Sequence, residues 1–160
     1  MQRVQGGIES VMVTHRLGVG LLAICVVAAA CASAPKLPVF GTWRVATFSG
    51  PAVPQTSVMA MAWVGVSASF DKEDARLGSD RCSVPKYTSR TLTAAEFQQE
   101  YRVAAATLGI AGDPVTVYRL DCGYDWGGRL NTLIVKSPTA LISPWDGAFF
   151  ELVKSPTSLK

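Results

Sequence analysis

The chain has almost no histidine, since His15 is the only one among its 160 residues. It also lacks any run of like charge, because its 15 lysines and arginines all occur singly. Segments that bind nucleic acids cluster such residues. We therefore expect no nucleic-acid partner.

An uncharged apolar segment follows the histidine. Residues 17–30 are fourteen apolar or small residues that come directly after His15 and Arg16. This is the length of a secretory hydrophobic region, and it is shorter than the ~20 residues that a transmembrane helix needs. We therefore predict that residues 1–32 are an export leader, which starts at Met1 or, in a more compact form, at Met12.

Small residues at the end of the leader allow two cleavage sites. The A-x-A pattern at residues 30–32 predicts ordinary cleavage before Ser33. Residues 28–31 (AAAC) instead resemble a lipobox, in which Cys31 is acylated and becomes the first residue. Ala32 then resembles the residue that follows the cysteine in lipoproteins of the outer membrane. A retained membrane anchor is the third alternative.

All three alternatives imply export. We expect a protein of the cell envelope, either an outer-membrane lipoprotein facing the periplasm or a soluble periplasmic or secreted protein. Its contact with the membrane would run only through a lipid anchor at Cys31 or through the leader.

Removal of the leader decides which chemistry remains. It takes away two of the 15 basic and one of the 12 acidic residues, which leaves 128 residues with a net charge of +2. Loss of His15 excludes Ser-His-Asp, Cys-His and histidine-bearing zinc sites. No nucleophile motif, phosphate-binding loop or metal-ligand spacing is present. We therefore expect a non-enzymatic protein without cofactor or metal; paired carboxylates, such as Asp121 with Asp125, are the remaining catalytic alternative.

The cysteines divide in the same way. Cys25 and Cys31 lie in or beside the leader, so Cys82 and Cys122 remain in the exported chain. Two cysteines in an exported domain usually pair. We predict a disulfide between them.

The exported chain has the pattern of a β-protein. Residues 33–39 (SAPKLPV) are a proline-broken tether, residues 40–154 the domain, and residues 155–160 a polar tail. Residues 71–81, which are charged, predict an exposed turn. Alternating or β-branched residues predict strands at 40–48, 63–71, 84–91, 115–122, 130–136, 140–145 and 148–153.

Local motifs add one helix and one hairpin. Thr93 and Glu96 have the spacing of a capping box, and Gly109 is placed to end the helix that follows. A helical turn at residues 57–62 is too short to predict firmly. Asp146 and Gly147 between apolar runs predict a tight hairpin. Together, these predicted elements favour an up-and-down antiparallel β-barrel of about eight strands with one inserted helix. An open sheet or a sandwich is the alternative.

One motif suggests a family. Gly41, Thr42 and Trp43 resemble the G-x-W signature on the first strand of lipocalins and their calycin relatives. With Gly65, the two cysteines and the ending at residues 146–152 (DGAFFEL), the chain resembles small bacterial lipocalin-like envelope proteins. This resemblance implies a β-barrel that binds rather than catalyses.

Two kinds of binding follow as hypotheses. A small apolar ligand or an envelope component would sit inside the barrel, and we expect a monomer. The candidate lining residues are Trp43, Phe70, Tyr118, Trp145 and Phe150.

The second hypothesis is an interaction with an exported hydrolase. Residues 33–40 (SAPKLPVF) resemble the N-terminal trunk of periplasmic protease inhibitors, which are small disulfide-bearing barrels. A glycine-rich loop at residues 123–129 also offers two aromatic side chains, Tyr124 and Trp126, as a recognition surface.

Overall fold

The fold is built on one antiparallel sheet of nine strands, and it confirms the predicted mainly-β class. A computed structural model describes residues 36–50, 54–123 and 130–156. The predicted leader, Cys31, the recognition loop with Tyr124 and Trp126, and Asp125 lie outside these residues. The strands are β1 (Gly41–Ser49), β2 (Ser67–Phe70), β3 (Asp74–Leu77), β4 (Asp80–Ser83), β5 (Lys86–Leu92), β6 (Val115–Asp121), β7 (Thr132–Ser137), β8 (Ala140–Trp145) and β9 (Ala148–Lys154). Two α-helices, α1 (Pro54–Met61) and α2 (Ala94–Tyr101), and a 3-10 turn, Ala105–Leu108, complete the described elements.

The strands lie in the order β4-β3-β2-β1-β9-β8-β7-β6-β5, and the sheet is curled strongly into a half-barrel. β1 is central and pairs with both β2 and β9. Its register to β9 shifts between Val45, which pairs with Leu152, and Thr47, which pairs with Glu151. Such a bulge bends a strand and increases its twist, which suits the curl of the sheet.

Each face of the sheet packs a separate core. On the inner face, alternate residues such as Trp43, Leu133 and Leu152 are fully buried together. On the outer face, residues such as Ile134 and Ile142 are buried beneath the helical segment that follows β5. The period of two along each strand therefore supplies both cores.

The capping box of α2 is confirmed. The Thr93 Oγ1 accepts a hydrogen bond from the Glu96 amide at 3.3 Å, and the Glu96 carboxylate accepts one from the Thr93 amide at 2.8 Å. The helix ends earlier than Gly109, however, because Arg102 adopts a left-handed conformation (φ 60°) and its amide donates to the Gln98 carbonyl. Gly109 instead closes the 3-10 turn, with φ 72°.

Residues 71–81 differ from the predicted exposed turn. They contribute to the β3–β4 hairpin, which raises the number of strands from about eight to nine. Ala75, Leu77 and Cys82 alternate along this hairpin and are buried. The charged residues Asp74 and Arg76 occupy the alternate positions and pair with each other, with Nε to Oδ2 at 2.6 Å. Part of the charge that suggested a loop therefore lies on the exposed face of a hairpin, and residues 71–73 form the exposed bend before it.

A disulfide joins strands near the two edges of the sheet. Cys82 on β4 is bonded to Cys122, which follows β6, with 5.7 Å between the Cα atoms. β4 and β5 lie at opposite ends of the strand order, yet only Val84 and Pro85 connect them. Three Cα–Cα steps span at most ~11 Å, so the two edges approach each other at this point.

Within the described residues, no helix is both long enough and apolar enough to span a bilayer.

Candidate functional site

The five residues predicted to line a ligand cavity lie in or against the inner core. Trp43, Phe70, Tyr118 and Phe150 are buried there, and Trp145 is half-buried against them. The Trp43 Nε1 donates to the Val39 carbonyl at 2.9 Å. The rings of Trp145 and Phe150 lie 6.0 Å apart. These side chains pack against one another, and the clefts described below are lined by other residues.

An apolar cleft lies on the opposite face of the sheet. It has a volume of about 640 Å³ and separates the end of α2 and the 3-10 turn from the β8–β9 hairpin. We call it the outer cleft. Its lining residues are Ser49, Gly50, Tyr101, Arg102, Val103, Thr107, Leu108, Gly147 and Phe149.

Two glycines form the sheet side of the outer cleft. A Cβ on Gly50 would lie 2.5 Å from the carbonyl oxygen of Gly147, so only glycine allows the end of β1 to approach the hairpin this closely. Asp146 and Gly147 both have positive φ, 47° and 75°, as a type I′ hairpin turn requires. The predicted Asp-Gly hairpin is thus confirmed, and it shapes the cleft.

The helical side of the cleft is aromatic and apolar. The rings of Tyr101 and Phe97 lie 4.7 Å apart, which holds Tyr101 against the end of α2. Burial, and then the neighbouring Glu100 carboxylate, raise the pKa of Tyr101 to about 12. Its hydroxyl is therefore protonated at neutral pH. Glu100 itself forms an ion pair with Arg90 on β5.

Two further clefts are described, and the second differs from the outer cleft in chemistry. One of about 440 Å³ lies beside α1 and is lined by residues that include Met59 and Trp63. The other, of about 480 Å³, lies on the outer face of β5, β6 and β7 and is polar, with Arg90 and Arg119 in its lining.

Two of the described carboxylates, Asp74 and Asp121, make structural contacts. Hydrogen bonds from Arg81 and then Arg76 hold the pKa of Asp74 below its ordinary value. The Asp121 carboxylate accepts a hydrogen bond from the Gly123 amide at 2.8 Å. In the described part of the chain, no three histidine, cysteine, aspartate or glutamate side chains are grouped as metal ligands would be.

No protein-family model, curated protein or solved structure matches this chain.

Sequence reasoning missed the outer cleft, although one signal was present. Phe149 and Phe150 are adjacent in β9, so the alternation of a strand must put one ring on each face. Phe150 enters the inner core, and Phe149 lines the outer cleft. The other lining residues come from distant parts of the chain, namely the end of β1, the β8–β9 turn and the segment that follows α2.

Proposed function

We propose that this domain is a non-catalytic binding module that holds a small apolar molecule in the outer cleft. The observation that carries the proposal is the cleft itself, because its volume of about 640 Å³ falls within the ~300–1,000 Å³ typical of small-molecule sites. Val103, Leu108 and Phe149 supply apolar contacts. An inner site is less favoured, since the inner aromatic side chains already pack against each other.

We further propose that the sheet is a lipocalin-like, up-and-down barrel of eight strands. This follows if β4 and β5 count as one strand that is bent at Val84 and Pro85. Proline cannot donate to a ladder, so it suits the point where a strand changes partners. A contact between distant strands of the sheet supports this interpretation, because the ring of Phe40, just before β1, lies 5.2 Å from the ring of Tyr87 on the edge strand β5.

We also propose that the domain acts in the cell envelope, with Cys31 as the site of lipidation. The support is the leader and the AAAC segment of the sequence. Metabolic labelling with a radioactive fatty acid should label the natural protein and not the Cys31→Ser variant. Equal labelling of both would refute lipidation.

Binding in the outer cleft is tested with Nile red, a neutral dye whose fluorescence rises in apolar surroundings. We expect saturable binding at one site. Val103→Trp places an indole in the cleft and should weaken binding at least ~10-fold, as the loss of a few apolar contacts would. The matched control is Val58→Trp, because Val58 is exposed on α1 and should leave binding unchanged.

Two results would count against the proposal. One is the absence of saturable dye binding together with no retained molecule in native mass spectrometry of protein purified from its own envelope. The other is binding that Val58→Trp weakens and Val103→Trp leaves intact, which would move the site to α1.

A second candidate function is interaction with an exported hydrolase. The observation that favours it is the apolar surface of α1 and the turn after it, where Val58, Met61 and Val64 are 72%, 66% and 44% exposed. Exposed apolar patches often mark protein interfaces. Stoichiometric inhibition of an exported protease or lysozyme, lost in Met61→Glu, would support this function. No inhibition across a hydrolase panel would remove it.

A further inference from the structure

The charge that the described residues place in the outer cleft is positive. Among the nine described residues that line it, Arg102 is the only charged one. No carboxylate of the described residues forms an ion pair with its guanidinium. The nearest carboxylate along the chain, Glu100, is paired with Arg90. The cleft thus combines apolar walls with one uncompensated cation.

Backbone geometry fixes the point at which the Arg102 side chain leaves the helix. Arg102 is the C-cap of α2 in the left-handed region, with φ 60° and ψ 21°. Glycine adopts this conformation without strain, whereas a side chain there costs roughly 1 kcal/mol. The carbonyl end of a helix carries about half a negative charge. It therefore offsets only part of the arginine charge, and the rim of the cleft stays positive.

A ligand with an anionic group would gain more from this cleft than a wholly apolar one. An apolar ligand that covered the guanidinium would exclude water without replacing the lost hydrogen bonds, and burying an unpaired charge is costly. A carboxylate or phosphate group would supply charge-assisted hydrogen bonds at that point. Polar groups at the rim of an otherwise apolar pocket usually set the orientation of the ligand.

We infer that the ligand of the outer cleft is an anionic amphiphile. Its apolar part contacts Val103, Leu108 and Phe149, and its carboxylate or phosphate group pairs with the Arg102 guanidinium. This inference rests on the proposed binding function and names the class of ligand. The site is on the outer face of the sheet, separate from the packed interior.

The test compares ligands with the same alkyl chain and different head groups. Decanoate, decyl phosphate, decanol and decyltrimethylammonium are titrated into the protein by calorimetry below their micelle concentrations. We expect the two anions to bind about tenfold more tightly than decanol, which is ~1.4 kcal/mol. The cation should bind more weakly than decanol. A preference for decyl phosphate over decanoate would identify a phosphate head group as the better fit.

Variants separate this site from general surface charge. Arg102→Gln should make decanoate and decanol equal, and Arg102→Lys should restore part of the preference. The matched control is Arg119→Gln, which removes an exposed arginine that lines the polar cleft and not the outer one. Far-ultraviolet circular dichroism and the urea midpoint check that each variant is folded. Arg102→Gly keeps the left-handed cap without strain and should also lose the preference.

The outcomes distinguish this inference from the binding function. If decanol and decanoate bind the natural protein equally, the anionic class is wrong and the binding function stands. If none of the four ligands binds, the binding function itself fails. If Arg119→Gln lowers the preference as much as Arg102→Gln, the attraction comes from general surface charge and the assignment of Arg102 is overturned.

Discussion

Removal of the Cys82–Cys122 disulfide is expected to lower the free energy of unfolding by ~4 kcal/mol. The two cysteines are 40 residues apart in the chain. In the chain-entropy account, closing a loop of that length restricts the unfolded ensemble by ~13 cal/mol/K, which is ~4 kcal/mol at 25 °C. For a domain of about 120 residues, this corresponds to a fall in Tm of ~16 °C.

The position of the disulfide also predicts which strands lose stability first when it is removed. The disulfide joins β4 to the residue after β6. β4 and β5 are the two edge strands and are not neighbours in the sheet. Loss of the disulfide should therefore let these two edges separate first. Amide hydrogen exchange should accelerate in β4 and at the start of β5 before it does in the central β1–β9 pair.

Urea unfolding is the assay. A chain with Cys25→Ser and Cys31→Ser, so that only this pair can bond, is compared with the same chain carrying Cys82→Ala and Cys122→Ala. Cys82 is buried, so its replacement by alanine also removes side-chain volume from the core. The reduced parent chain lacks the bond but keeps both cysteine side chains, and it is therefore the control for this lost volume. A loss below ~1 kcal/mol in both the reduced and the alanine forms would refute the entropic reasoning. A change in the slope m would instead indicate a different compactness of the unfolded chain.

Three further predictions concern the backbone and the helix cap. Val84→Asn should stabilise the domain by ~1 kcal/mol in urea unfolding, because φ of 55° is costly for a β-branched residue; no gain would contradict this. Gly50→Ala should destabilise it by more than ~2 kcal/mol, since its Cβ would meet the Gly147 carbonyl oxygen at 2.5 Å; Gly65→Ala, with nothing within 4 Å, should cost less, and equal costs would refute the clash. The pKa of Glu96 is lowered from 4.5, first by its hydrogen bond from the Thr93 amide. The stability that this carboxylate contributes is therefore present above pH 4.5 and is lost as the pH falls through the lowered pKa. Glu96→Gln should reduce this loss of stability at acid pH in thermal melts, and an unchanged pH profile would contradict the assignment.

Features set by neighbouring residues were predictable from the sequence. The capping box needs only Thr93 and Glu96 at the right spacing, and the hairpin turn only Asp146 and Gly147. The disulfide followed from counting, since the predicted leader contains the other two cysteines. In each of these, the interaction is fixed by few residues, so the pattern has few competing interpretations.

Features that depend on distant packing were not predictable. Residues 71–81 carry enough charge to resemble a loop, and only the burial of Ala75 and Leu77 against β2 and the inner core makes them a hairpin. The early end of α2 at Arg102 has no sequence signal, because arginine is not a usual left-handed cap. The chain turns there, and the outer cleft exists because it does.

The sequence also could not decide between a lined cavity and a packed core. Buried aromatic residues at alternate positions are equally compatible with both, because the pattern records only which side is apolar. Packing decides whether such aromatic residues line a cavity or fill a core, as the adjacent residues Phe149 and Phe150 in β9 show. The ring of Phe150 lies within reach of Phe48 and Trp145 and helps to fill the inner face. The ring of Phe149 meets the helical segment instead, and where that segment turns away at Arg102 the apolar surface is left open as a cleft. A sheet that buries both faces can therefore place its binding site on the outer one, provided that the segment covering that face does not cover it completely.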